Sequence, residues 1–183
     1  MRNRLEELVR RYERHVIAPW SKTLPGAQRV VFVVYPEDLE RTLRARIGEF
    51  RQVTEAAERG WRRTDATRWF AEWLADDEYR KEWFADPDLL APKLEEEFPR
   101  FAADRLAGAL ADSDETGVVA LTGVASLYGF LRVSNLIRNV EPEIRGRLVV
   151  FFPGTKDGTN YRLLNARDGW NYLAQAITLH DGS

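Results

Sequence analysis

The sequence predicts an α/β fold in which a mostly parallel, twisted sheet is flanked by helices. Three observations carry that expectation. Residues 29–35, 117–122 and 147–152 are short, nearly continuous apolar runs rich in Val, the pattern of strands buried on both faces. Between them, apolar residues recur at helical spacing. Strands that alternate with helices argue for a parallel sheet covered on both sides. No linker, internal repeat or low-complexity segment interrupts residues 1–183, so a single domain is expected.

The elements follow in chain order. Leu5, Leu8, Val9, Tyr12 and Val16 form one stripe, which predicts an amphipathic helix over residues 2–17. Pro19 and the stretch Leu24-Pro25-Gly26 end it. The first strand runs to Tyr35, where Pro36 stops it. Asp38 reads as the cap of a second helix, with Leu39, Leu43, Ile47, Phe50 and Val53 as its stripe and Gly60 as its end. Residues 61–64 read as a short strand despite two adjacent Arg. Asp65 reads as the N-cap of a helix carrying Trp69, Phe70, Trp73 and Leu74. More helix is expected over 77–84 and 88–111, interrupted near Pro87 and Pro99. This helical block, about 65–111, is expected to protrude as an insertion.

The last third changes character. Residues 117–122 are a strand, Gly123 is the turn, and a helix is expected over 125–139 with Leu127, Phe130, Leu131, Ser134 and Ile137 inward. The strand at 147–152 is expected to end at Pro153-Gly154. Asp157-Gly158 then turns the chain into a strand at 161–164, and a final strand spans 176–179.

Composition narrows the function classes. The chain has no Cys, which removes disulfides, thiolate chemistry and Cys-ligated zinc. Its first residues are a charged amphipathic stretch rather than a signal peptide, and its apolar runs fall short of the roughly 20 residues a membrane helix needs, so a cytoplasmic protein is expected. Net charge is -2, with 27 Lys and Arg against 29 Asp and Glu, which provides no global field for nucleic acid. Arg2, Arg4, Arg10, Arg11 and Arg14 nevertheless crowd the first helix, while acids crowd residues 72–88.

In an open parallel sheet, ligands gather at the carboxyl ends of the strands. Three loops qualify: 35–38, then Thr122-Gly123, then Pro153-Gly154 through Lys156, Asp157 and Gly158. These are the candidate functional loops. The layout is similar to that of P-loop NTPases, but no phosphate loop is present: G-x-x-x-x-G-K-[ST] is missing, and Pro36 after the first strand has no N–H to donate. Gly154-Thr155-Lys156 is a polar turn on the ordinary reading. The two His, His15 and His180, have no ligand partner at i+4, so no metal site is expected. Ser126 reads as a helix cap. The acid pairs Glu37 with Asp38 and Asp157 with Asp168 read as solvated loop acids. No catalytic residue and no cofactor is nominated. Trp69, Trp73 and Trp83 cluster among acidic residues. They read as core packing first and as a partner-binding surface second.

The segment from Val118 to Ala125, continuing through Tyr128-Gly129-Phe130-Leu131-Arg132 to Leu136, then Leu148 to Gly154, Asp157-Gly158, Arg162-Leu163 and Asn171-Tyr172, resembles the BrxB family of BREX phage-exclusion systems. The order strand, Thr-Gly turn, helix, strand, Pro-Gly, Asp-Gly carries the likeness. The family's acidic-aromatic pair between the last two elements is here Thr155-Lys156, which marks a divergent member. The resemblance implies a non-catalytic accessory protein that bridges or regulates other BREX components, a PglZ-type protein above all, with self-association a further expectation. Two alternatives stay open: a degenerate nucleotide- or anion-sensing domain built on the Lys156 loop, and a DNA-contacting accessory using the first-helix arginines.

Overall fold

Every residue of β1 (Val30–Tyr35) is buried, because the strand has sheet neighbours on both edges and helices on both faces. The computed structural model describes residues 4–166 and 169–180. In it, β1 pairs in parallel with β4 (Arg147–Asp157), from Val30 opposite Leu148 to Tyr35 opposite Pro153. Its other edge takes the short β7 (Gln175–Ile177), also parallel. On the far side of β4 lie β3 (Val118–Thr122) and then β2 (Trp61–Asp65), both parallel. The path is β2-β3-β4-β1-β7.

Strand alternation divides the core into two layers. Val31, Val33, Phe151 and Ala120 face α1 (Arg4–Ile17), α2 (Glu40–Ala45) and α3 (Ile47–Ala56). The stripe Leu5, Leu8, Val9, Tyr12 and Val16 is buried there as expected. Val30, Phe32, Leu121, Val150 and Phe152 face the other way, onto α4 (Trp69–Ala75), α6 (Ala91–Ala111) and α7 (Val133–Val140).

The sheet is mixed rather than mostly parallel. Pro153-Gly154 does not end β4; the strand runs on to Asp157. Beyond Pro153 its partner changes: Gly154 to Asp157 pair antiparallel with β5 (Asn160–Leu163), which pairs antiparallel with β6 (Trp170–Asn171). Pro153 lacks a donor, and it sits at the junction where the parallel ladder hands over to the hairpin, a place that needs fewer ladder bonds. Burial holds the hairpin down. Tyr161 and Trp170 lie 4.6 and 5.5 Å from the Phe32 ring, and Tyr172 lies 6.0 Å from it.

Other expectations change for local reasons. Pro99 lies inside α6, which does not break, because Phe98, Ala102, Leu106 and Leu110 bury one face of the helix on the sheet. Asp38 caps nothing; it pairs with Arg4. Most of the 65–111 block is a sheet-covering layer, since Ala66, Trp69, Trp73, Phe98 and Leu106 share a core with Phe32. The α5 helix (Arg80–Ala85) and the 3-10 turn after it are the more exposed part, with Tyr79, Phe84 and Leu89 exposed, while Trp83 and Leu90 still pack on the core. The helix expected over 125–139 is split. A 3-10 turn covers Val124–Leu127, Gly129 adopts φ +83°, and α7 begins only at Val133. An L-residue is strained at that φ, so Gly129 is what lets the chain leave the helix there.

Two substitutions separate core from surface. Phe32→Ala removes the ring on which four other aromatics pack and is expected to cost roughly 3–5 kcal/mol. Phe84→Ala on exposed α5 is expected to stay within about 0.5 kcal/mol. Urea unfolding of both variants beside the parent checks the contrast.

Candidate functional site

The carboxyl edge of the sheet holds the loops where a ligand is expected. Along most of it, polar groups are engaged with one another. After β1, Glu37 accepts a hydrogen bond from Asn165 Nδ2 at 2.9 Å, and Tyr35 donates to Glu40 Oε2 at 2.5 Å. Asp38 is held by Arg4. Asp168 lies outside the described residues.

The ends of β2 and β3 are joined by a polar latch around Asp65. One carboxylate oxygen accepts from Arg44 Nη2 at 3.1 Å and Arg63 Nη2 at 2.9 Å. The other accepts from the Thr67 amide at 3.0 Å and from the Thr67 hydroxyl. Arg63 Nε also reaches Thr122 Oγ1 at 3.1 Å. Partial burial pushes the Asp65 carboxyl up, but the Thr67 groups and the two guanidiniums outweigh that and hold it below the usual carboxylate range. Gly123 closes the latch. It has φ +74°, and a Cβ there would stand 2.4 Å from Asp65 Oδ1. Thr122 and Gly123 therefore meet Asp65, Arg63 and Thr67, a grouping the sequence did not reveal because Asp65 reads simply as a cap. With both oxygens occupied, Asp65 is a structural clasp rather than a free base.

The third candidate loop is not a loop. Gly154, Lys156 and Asp157 are in β4, paired with Leu163, Tyr161 and Asn160, and Gly158 forms the hairpin turn. Their backbone faces a strand and cannot wrap a phosphate, while the side chains of Lys156 and Asp157 are exposed. Ser126 caps no helix; it lies within the 3-10 turn that Gly123 opens. Trp69 and Trp73 are 3% and 8% exposed and Trp83 is partly buried, so the first two pack inward. Among the described residues no group of three or more His, Asp or Glu is placed to hold a metal ion.

The break after Leu127 produces the concave feature of this edge. Tyr128 to Val133 form one wall of a cavity of about 690 Å³, and Leu163, Asn165, Ala166, Gly169 and Trp170 line the opposite side. Phe130 is anchored by stacking on Phe70 at 4.2 Å yet stays 39% exposed, while Tyr128 is 54% exposed. Arg132 adds a cation at the wall. Gly129 inside an apparently helical stretch is the signal in the sequence that could have found it.

A family model described as BREX protein BrxB matches residues 69–177, more than half of the chain. The chain belongs to the BrxB family. It is thus a BREX-associated defence protein. No curated protein and no solved structure matches it. The BrxB match takes in β3, the Tyr128–Val133 wall, α7 and all of β4 to β7, so the whole cavity lies within it. The matched region begins after α1, α2, α3, β1 and β2. Among the described residues no helix is long and apolar enough to cross a membrane.

The Asp65 latch makes a pH-dependent prediction. Its folded pKa lies below the unfolded value, so its contribution is full at neutral pH and is lost as pH falls through the folded value. Asp65→Asn is expected to cost about 1–2 kcal/mol near neutral pH. The gap between variant and parent should close as pH falls below the usual carboxylate range and through the lowered folded value. Urea titrations across that range measure it.

Proposed function

We propose that this protein is a non-catalytic adaptor of a BREX defence system that works in the cytoplasm and binds partner proteins through the Tyr128–Arg132 wall of the cavity. One observation carries the reading: Tyr128 and Phe130 are exposed aromatics on a turn beside a concave site, inside the BrxB-matched segment. Aromatics with limited side-chain freedom, presented at a pocket rim, are what interface hot spots are made of. The engaged state of Glu37, Asp38 and Asp65 supports a scaffold role, because each of these three carboxylates already has a partner. On this reading the parallel path is a P-loop-like framework reused for assembly, with Pro36 standing where a phosphate loop would leave β1.

The favoured partner is a PglZ-type protein of the same system. Arg4 and Arg11 of α1 are engaged with Asp38 and Glu7, which leaves the DNA-contacting alternative with fewer of its cations free. The test is co-elution of the two purified proteins at micromolar concentration. Tyr128→Ala is expected to weaken the complex by roughly tenfold or more while leaving thermal unfolding unchanged. No co-elution of the unmodified pair, or full affinity in the variant, would refute the adaptor reading.

A further inference from the structure

The amino-terminal edge of the sheet, opposite the cavity, collects cations. Arg29 precedes β1, Arg59 precedes β2, and Arg145 and Arg147 lie just before and at the start of β4. With Trp20, Lys22, Glu115 and Thr116 they line a pocket of about 170 Å³. Arg147 is only 4% exposed. Its Nη1 donates to the Gly146 carbonyl at 3.0 Å, but its Nε is buried with no protein partner.

These charges are held in place without being neutralised. Arg29 donates to the carbonyls of Leu24, Ile144, Arg145 and Lys22. Arg59 donates to those of Val16 and Ala18, at 2.7 and 3.1 Å. The guanidiniums of Arg59 and Arg147 both pack over the Trp20 ring, at 3.6 and 4.6 Å from its centroid. The pocket's carboxylate, Glu115, is taken by Lys22 at 3.3 Å. Among the described residues none of the four arginines has an acidic partner. Burial first, then the charges of Arg29 and Arg59, hold the Arg147 guanidinium below its ordinary value. His15, behind Trp20, is likewise pushed down to about 4 by burial and then by Arg147 and Arg59, so it is neutral at physiological pH and adds no charge.

A buried cation without a counter-ion is costly, and Arg does not escape the cost by losing its proton. Among the described residues no carboxylate supplies the compensating charge, which points to an anion from outside the chain. The pocket is smaller than the roughly 300–1,000 Å³ that encloses a drug-sized ligand. Guanidinium forks match the oxygens of a phosphate group in pairs. We propose that this pocket binds a phosphate dianion, either free orthophosphate or the phosphate of a small phosphomonoester, with Arg147 at its floor and Arg145 at its mouth. The site is separate from the Tyr128 wall, so it stands or falls independently of the adaptor reading.

The experiment is calorimetric titration and thermal unfolding of the full chain with sodium phosphate, against sodium chloride at equal ionic strength. Adenosine 5′-monophosphate forms a second arm. Saturable binding and a rise in Tm with phosphate but not chloride are expected. Orthophosphate alone active points to the free ion, and both active points to a phosphomonoester that leaves its base outside. Arg145→Ala, an exposed substitution, should weaken binding roughly tenfold or more with little change in the phosphate-free Tm. Arg147→Met should abolish the phosphate response while leaving phosphate-free stability equal or higher, since it removes an uncompensated charge; a purely structural Arg147 would do the reverse. No saturable response, an equal response to chloride, or full binding in both variants overturns the proposal. So does binding of duplex DNA without any response to the small phosphates.

Discussion

The pairing of β1 with β4 is the constraint on which the rest of the molecule depends. Both strands are buried on both faces along the shared ladder, from Val30 opposite Leu148 to Phe152 opposite Val34. A backbone so placed has no water to bond to, so every N–H and C=O on it needs a strand neighbour or a turn. That requirement recruits β7 to the free edge of β1 and β3 to the free edge of β4. It also requires two helical layers, because alternate side chains of Val and Phe point to opposite sides. Phe32 and Phe152 demand cover from one layer, and Val33 and Phe151 from the other.

Side-chain periodicity made much of this framework legible. The β1, β3 and β4 runs carry no polar interruption, and α1 shows its whole buried stripe in five residues. The failures share a cause: local signals were overridden by burial far away in sequence. Pro99 should break a helix, but Phe98 and Ala102 beside it are pinned to the sheet. Pro153-Gly154 should end a strand, but Tyr161 and Trp170 gain a place against Phe32 and Phe152 if the strand continues as a hairpin. A short strand such as β6 has no periodicity to read. The site was less legible than the fold. Thr122 and Gly123 meet Asp65 only because β2 and β3 are neighbours, and nothing in the order of the chain says so.

Gly129 links backbone geometry to the proposed role. If residues 125–139 formed one helix, Phe130 and Leu131 would continue its stripe and Phe130 would be interior. The left-handed residue instead ends the first turn, extends Arg132 and restarts the helix at Val133. Phe130 is then caught on Phe70 with part of its ring in solvent, and Tyr128 has no core to enter. On the proposed reading, these two exposed aromatics are the part of the surface that a partner covers.

The two edges of the sheet differ in how their charges are met. At the carboxyl edge, Asp65 is matched with Arg44 and Arg63 and Asp38 with Arg4, while Glu37 accepts a hydrogen bond from the neutral Asn165 amide. At the amino edge, Arg29 and Arg59 are aimed by backbone carbonyls, which orient a guanidinium but leave its charge uncompensated. Carbonyl dipoles are a poor substitute for a carboxylate if stability alone is the purpose, since a nearby acid would supply the same hydrogen bonds and cancel the charge. Their use here keeps the arginines fixed and still positive. A site that must accept an anion and release it needs that condition, because a built-in carboxylate would occupy it permanently.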